Sequence, residues 1–390
     1  MKLGISVLVL AYGLSQFYRA FLAVLTPALE ADIGATPEQL ASASGVLFLV
    51  FAAMQIPIGA ALDRIGPKVT TVVLFLIGGV GGPLVFAMAQ SSRDITIAMG
   101  LIGLGCAPVL MASYYIFARV YSPAVFATLA GAIIGLGSLG NLAGSAPLAW
   151  AAEAYGWRAS MYGAAGMTFV VVVLLGIFIK DPPRVETTER GSVLDVLKIR
   201  ALWPIMVIMT VAYAPSAGIR GLWIGPYATD VFGADAGRIG TMTLLMGLAM
   251  IAGSFTYGPL DRLLGTRKWV IFGGNALGLA ALIALALVVD WNIWMSTLLL
   301  AVIGMTGASF PMIVAHAKAF LPAHLTGRGV TLLNLFGIGG AGLMQFFTGQ
   351  IHAGGASNAG PDLYATLFLV FAGTLAVGLL VYLFAPDRTD

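Results

Sequence analysis

Residues 59–68 read GAALDRIGPK (Gly59 to Lys68), and residues 258–268 read GPLDRLLGTRK (Gly258 to Lys268). In each, an Asp-Arg pair opens a short, basic, glycine-containing turn: Asp63-Arg64 in the first copy, and Asp261-Arg262, 198 residues later, in the second. Apolar runs flank both copies. Runs of roughly 20 apolar residues are long enough to cross a bilayer as helices. The repeat therefore predicts two similar halves, each threading a membrane several times, with the polar turn after its second crossing.

Composition points the same way. Of the 390 residues, 59% are hydrophobic and 9% charged, where a soluble domain carries about 25% charged residues. A globular enzyme of this length is excluded, and the bilayer is the chain's partner. Fifty glycines suit close helix packing in lipid. The single cysteine, Cys106, lies in an apolar segment, so no disulfide framework is possible. No Cys/His cluster calls for a metal, no motif calls for a nucleotide or other cofactor, and a net charge of +3 gives no footing for nucleic acid. The start, MKLGISVLVLAYGLS, has the look of a secretory signal. However, its apolar run continues past Arg19 to Pro27 without a cleavage site, and it reads as a retained first helix.

Twelve apolar segments follow one another, near 4–28, 38–61, 69–89, 95–118, 123–150, 159–179, 202–228, 238–260, 269–289, 293–317, 325–350 and 362–385. The longest polar stretch, KDPPRVETTERGSVLDVLKIR (Lys180 to Arg200), separates the sixth from the seventh. The expected architecture is an all-α polytopic membrane protein of twelve transmembrane helices in two pseudo-symmetric six-helix bundles. Residues 1–180 form the first bundle, 181–201 a cytoplasmic linker and 202–390 the second. With a cytoplasmic N-terminus, the loop Lys and Arg residues outside the cytoplasm reduce to Arg93, Arg158 and Arg238, and Arg19 and Arg220 fall within helices. The positive-inside rule then puts both termini in the cytoplasm of an inner-membrane protein. Trp291 and Trp294 suit the outer interface.

The first turn matches G-x-x-x-D-R-x-G-x-K/R as Gly59, Asp63, Arg64, Gly66 and Lys68. On this motif and the six-helix repeat, the chain resembles the major facilitator superfamily over essentially its whole length. The second copy departs by one residue, since the spacing from Gly258 to Asp261 is short. The resemblance implies two bundles rocking about a central site near the midplane. It also implies a gating role for Gly59, Asp63, Arg64, Gly66, Lys68, Asp261 and Arg262.

A second echo lies in the first and seventh helices. AYGLSQFYR (Ala11 to Arg19) aligns without gaps with AYAPSAGIR (Ala212 to Arg220) at an offset of 201. Tyr12, Ser15 and Arg19 match Tyr213, Ser216 and Arg220. Positions i, i+3 and i+7 share a helix face, so each helix is expected to carry Tyr, Ser and Arg in one stripe. The resemblance implies that these two helices line a central cavity, with the arginines facing across it. All 17 acidic residues fall at predicted helix ends or in loops, and arginine stays charged. Two guanidinium groups in a low-dielectric setting call for an anion, held through carboxylate or phosphate oxygens. A single arginine near a helix end would instead snorkel to the headgroups.

Further candidates for substrate contact are Gln16, Tyr114 and Tyr115 on the fourth helix, and His316 on the tenth. His316 is the only histidine inside a predicted span. It is a candidate proton carrier, or it stands wet, one turn from the cytoplasmic end. Asn334 and Gln345 either face the cavity or join helices. GAIIGLGSLGNLAGSAP (Gly131 to Pro147) reads as close helix packing. Paired arginines on helices one and seven resemble the organophosphate:phosphate antiporter branch and related organic-anion carriers, although that branch's helix-five histidine is replaced here by Asn141. The expected function is secondary transport of a small organic anion by a monomer that is not an enzyme, run by anion exchange or a substrate-coupled cycle. The alternatives are a proton-coupled exporter of hydrophobic or drug-like compounds and a non-transporting receptor on the same fold.

Overall fold

A computed structural model of the chain describes residues 2–121, 123–183, 193–322, 325–355 and 360–388. Among them there is no strand. Eleven helices are long and apolar enough to cross a membrane, and a bent pair, Leu3–Phe17 with Leu22–Ile33, makes a twelfth. The expected twelve crossings are all present, in chain order. After the bent pair they are Pro37–Arg64, Pro67–Ala87, Ser92–Val120, Leu129–Tyr155, Trp157–Phe178, Arg200–Phe232, Ala236–Tyr257, Lys268–Leu287, Ile293–Lys318, Arg328–Gly355 and Pro361–Tyr382.

Helix starts follow local chemistry. Gln39 Oε1 accepts from the Thr36 backbone N–H ahead of Pro37, and Ser91 and Asp94 form a capping box ahead of the fourth span. These satisfy backbone donors that have no partner inside the helix. The chain divides into two compact units, residues 1–186 with 235–241, and residues 187–234 with 242–390. Residues 184–192 of the linker lie outside the described residues. Val193–Leu197 is a short helix and Arg200–Leu202 a single 3-10 turn leading into the seventh span.

The first span differs from expectation. It is not one helix over 4–28 but bends by 48° at residues 18–21. Tyr18 holds the break in place. Its hydroxyl bonds the Thr168 hydroxyl at 2.7 Å and donates towards the carbonyl oxygens of Ala164 and Gly79 at 3.2 and 3.3 Å. Phe21 stacks edge-on against Phe86, and Phe86 against Trp157, so aromatic packing closes around the bend. The seventh span also departs from α-helix, with a π-helical turn at Ile219–Trp223.

The glycine-rich fifth span packs closely, as its sequence suggests. A Cβ on Gly140 would stand 1.7 Å from the carbonyl oxygen of Gly13, and one on Gly137 would stand 2.2 Å from the Tyr12 ring. Only hydrogen fits there, and the first and fifth spans touch backbone to backbone.

Candidate functional site

Both echoed arginines sit where their helix is interrupted. Arg19 lies in the break of the first span. Its Nη2 donates to Ser15 Oγ at 3.3 Å, and its guanidinium carbon stands 4.5 Å over the Phe51 ring of the second span. Arg19 Nε is buried with no hydrogen-bond partner among the described residues, and none of the ion pairs found among them involves Arg19. A guanidinium offers five N–H donors, so this one retains capacity for an acceptor. The half-helix that follows, Leu22–Ile33, begins without a side-chain cap. Its N-terminal dipole adds partial positive charge near the break. Discontinuous helices of this kind aim their N-termini at anionic groups in secondary transporters.

Arg220 occupies the π-helical turn of the seventh span. It is 4% exposed and directs Nε at the carbonyl oxygen of Thr243, at 3.5 Å, on the eighth span. π-turns are rare and concentrate at functional sites. Arg19 belongs to the first compact unit and Arg220 to the second.

The stripe expected from ideal helical periodicity is only partly formed. Ser15 and Arg19 are joined directly. Tyr12, 5% exposed, packs on the fifth span at Gly137. In the second unit, Ser216 is fully buried and donates to the carbonyl oxygen of Tyr213 at 3.1 Å, and Tyr213 meets Phe310 edge-on at 5.5 Å. The break and the π-turn shift the register that a continuous helix would keep. Gln16 and Tyr114 are half-buried. Tyr115 lies under the Arg119 guanidinium at 4.2 Å.

His316 is placed differently from the wet alternative. It is fully buried, facing the last helix and the tail. Nε2 stands 3.0 Å from the Pro386 carbonyl oxygen, which can only accept, so Nε2 carries the hydrogen. Nδ1 then accepts from the Tyr382 hydroxyl at 2.7 Å. Both ring nitrogens are used within the second unit. The sequence-predicted spans ended at 350 and left out His352. In the structure the eleventh span runs to Gly355, and His352 is 3% exposed within it.

The two signature turns are built alike. Gly66 (φ 106°) and Gly265 (φ 65°) take the conformation that other residues resist, and each ends its turn beside a new helix. In the first copy, Asp63 pairs with Arg119 at 3.5 Å, and the Lys68 backbone N–H donates to Asp181 Oδ1 at 2.8 Å. In the second, Asp261 pairs with Arg267 at 3.1 Å, and the Lys268 N–H donates to Asp387 Oδ1 at 3.0 Å. So an aspartate that follows the sixth and the twelfth span caps the third and the ninth, respectively. Sequence reading missed this correspondence, although Asp181 and Asp387 each follow the last helix of a half and each lie next to proline. Asp387 accepts from Thr266 and the backbone N–H of Lys268. Burial raises its carboxyl, and these donors outweigh that, leaving it below the usual carboxylate range. Among the described residues nothing stands within 4 Å of a Cβ added to Gly59, and Arg64 is exposed. The side chain of Arg262 lies outside the described residues.

On the opposite face of the first unit, Asp32 accepts from both Trp157 Nε1 and Arg158, and Arg158 also donates to the Ala89 carbonyl oxygen at 2.9 Å.

The profile of the Major Facilitator Superfamily matches residues 8–219, more than half of the chain and spanning both signature features of the first half. The chain belongs to that superfamily. It is a multi-pass membrane protein of a transporter family and not an enzyme. A curated relative from Cupriavidus necator, named "Probable sulfoacetate transporter SauU", is 23% identical over 276 residues. The match covers 66% of this chain and 64% of the relative, short of two thirds of that protein. The superfamily fold is shared with a solved bacterial homologue of the human lysosomal transporter Spinster, in an inward-facing, occupied conformation (17% identity, TM-score 0.72, covering 98% of this chain and 96% of that one). It is shared also with the nucleoside transporter NupG as its D323A mutant (16% identity, TM-score 0.75, covering 98% and 99%).

Proposed function

We propose that this superfamily member carries a small organic anion across the membrane, with Arg19 and Arg220 as the groups that hold it. The observation that carries this reading is Arg19: a membrane-embedded guanidinium at a helix break, with Nε buried and without a partner among the described residues. An arginine at mid-membrane costs about 2.5–3.5 kcal/mol on insertion scales. A structural role would return that cost through a carboxylate, and none is paired with Arg19 among the described residues. Support comes from the relative named for sulfoacetate. That molecule carries a carboxylate at one end and a sulfonate at the other, one anionic group for each guanidinium. Tyr12, Tyr213, Ser15, Ser216, Gln16, Tyr114 and Tyr115 are proposed to shape the site. His316, bonded at both nitrogens, is proposed to lock the tail instead.

Residues 1–180 and 202–390 are proposed to rock as two bundles in a monomer, with both termini cytoplasmic in an inner membrane. The basic signature turns support that orientation. The test is binding of sulfoacetate, acetate and methanesulfonate to purified protein, followed by thermal shift. The reading expects the dianion to stabilise the protein more than either monoanion at equal concentration. Equal responses to all three, or none, would refute it. Reporter fusions at the two termini test the topology, and an external signal from either refutes that part.

A further inference from the structure

The second unit holds a chain of titratable groups that leads from water into its interior. Asp230, near the end of the seventh span, is exposed. The Tyr364 hydroxyl, fully buried on the twelfth span, donates to Asp230 Oδ2. The same hydroxyl stands 3.4 Å from Nε2 of the buried His352 on the eleventh. The His352 ring lies against the Trp223 indole, centroids 5.3 Å apart and planes tilted by 35°. Trp223 is itself fixed by donating Nε1 to Thr348 Oγ1 at 3.0 Å, one turn before His352. Trp223 and Arg220 belong to the same five-residue π-turn.

We propose that His352 is the coupled-proton site of this transporter, filled from water through Asp230 and Tyr364. The step balances without any other reactant. A proton from water enters the Asp230 carboxylate. Asp230 passes it to the Tyr364 oxygen while the Tyr364 hydrogen, which had pointed at Asp230, turns to His352 and passes to Nε2 of the neutral ring protonated at Nδ1. The products are a neutral tyrosine, the restored carboxylate and an imidazolium. Imidazole is the side chain whose ordinary range makes this exchange possible between about pH 5 and 8. The indole face beside it stabilises the cation.

Towards this end of the seventh and twelfth spans the other titratable and charged groups are Arg220, Tyr227 and Asp362. Tyr227 packs on Tyr364 at 5.5 Å, and its hydroxyl is engaged with Ser296 and the Val289 carbonyl oxygen. Arg220 stays charged throughout. A second cation close to its turn raises the affinity for an anion, and linkage requires the anion to raise proton affinity equally. The proton therefore enters with the anion. This part rests on the anion reading above.

The test uses the full chain in liposomes with the membrane potential clamped and sulfoacetate as the probe. The wild type is expected to accumulate it when the outside is acid. H352Q and Y364F are expected to lose accumulation ten-fold or more while keeping sulfoacetate homoexchange within two-fold. A merely structural role would lower both. If exchange runs but an acid outside drives no accumulation in the wild type, the proton site is refuted and the anion reading stands. If no anion exchanges or binds, the anion reading fails, and a second measurement decides the site itself. In anion-free protein carrying isotope-labelled histidine, the imidazole signal missing from H352Q is expected to titrate between about pH 5 and 8 and to shift its midpoint in D230N. A signal that stays constant over that range, or one that D230N leaves unmoved, overturns the proposal.

Discussion

Gly140→Ala tests the packing that sets the first span, and with it the position of Arg19. The added Cβ would stand 1.7 Å from the Gly13 carbonyl oxygen and 2.5 Å from its carbon, whereas ordinary contact begins at 3.4 Å. Both neighbouring atoms are backbone, so no rotamer change relieves the clash, and the two spans must part by more than 1 Å. Overpacking of this kind costs about 1–3 kcal/mol. The intrinsic preference runs the other way, since alanine is favoured over glycine inside a helix by about 1 kcal/mol. Gly135→Ala on the same span is the control, because nothing lies within 4 Å of its added Cβ. Thermal unfolding of purified protein in one detergent is the assay. Gly135→Ala is expected to match or exceed the wild type, and Gly140→Ala to unfold several degrees lower. Equal stability of the two variants would refute the backbone contact and the placement of Arg19 that depends on it.

Other outcomes follow from the same contacts. Asp387→Asn should weaken the cap on the ninth span and flatten the acid response. The wild-type carboxyl lies below its unfolded value, so its contribution is present above about pH 4 and fades as pH falls further; melting temperature against pH from 3 to 6 checks this. His316→Phe strands the Tyr382 hydroxyl and the Pro386 carbonyl oxygen. It should cost about 1–3 kcal/mol of stability while leaving transport per folded molecule near wild type, and a selective loss of transport would contradict the locking role. Asp32→Asn removes the negative charge shared by the buried Trp157 Nε1 and by Arg158, whose ion pair with Asp32 is partly exposed. It should cost about 1 kcal/mol or less in stability, read from denaturant or thermal unfolding, and a loss several times larger would contradict a solvent-weakened pair.

The fold was legible because its signals are coarse. Hydrocarbon thickness sets the length of each run, and Gly59–Lys68 and its repeat mark equivalent places in two halves. The interruptions at Arg19 and Arg220 were not legible. Periodicity presumes a continuous helix, and nothing in SQFYRAF announces a break that depends on Tyr18 finding Thr168 and Ala164 about 150 residues away. The caps by Asp181 and Asp387 escaped for a related reason: a side-chain acceptor reaching a backbone N–H leaves no paired charge in the sequence. His352 was lost to a boundary drawn a few residues early, and His316 gained a functional reading because its partners, Tyr382 and Pro386, lie on a distant segment. The arginine pair was legible as an echo in sequence, and its chemistry stood out because no acid lies near either position in the chain.

The most direct measurement of the anion account is the affinity of purified protein for sulfoacetate in the wild type, Arg19→Gln and Arg220→Gln. Hydrogen bonds to charged groups contribute about 1.5–3 kcal/mol each, so each variant should bind roughly 10- to 150-fold more weakly while remaining folded. If folded Arg19→Gln and Arg220→Gln bind sulfoacetate as the wild type does, the arginines do not hold the anion.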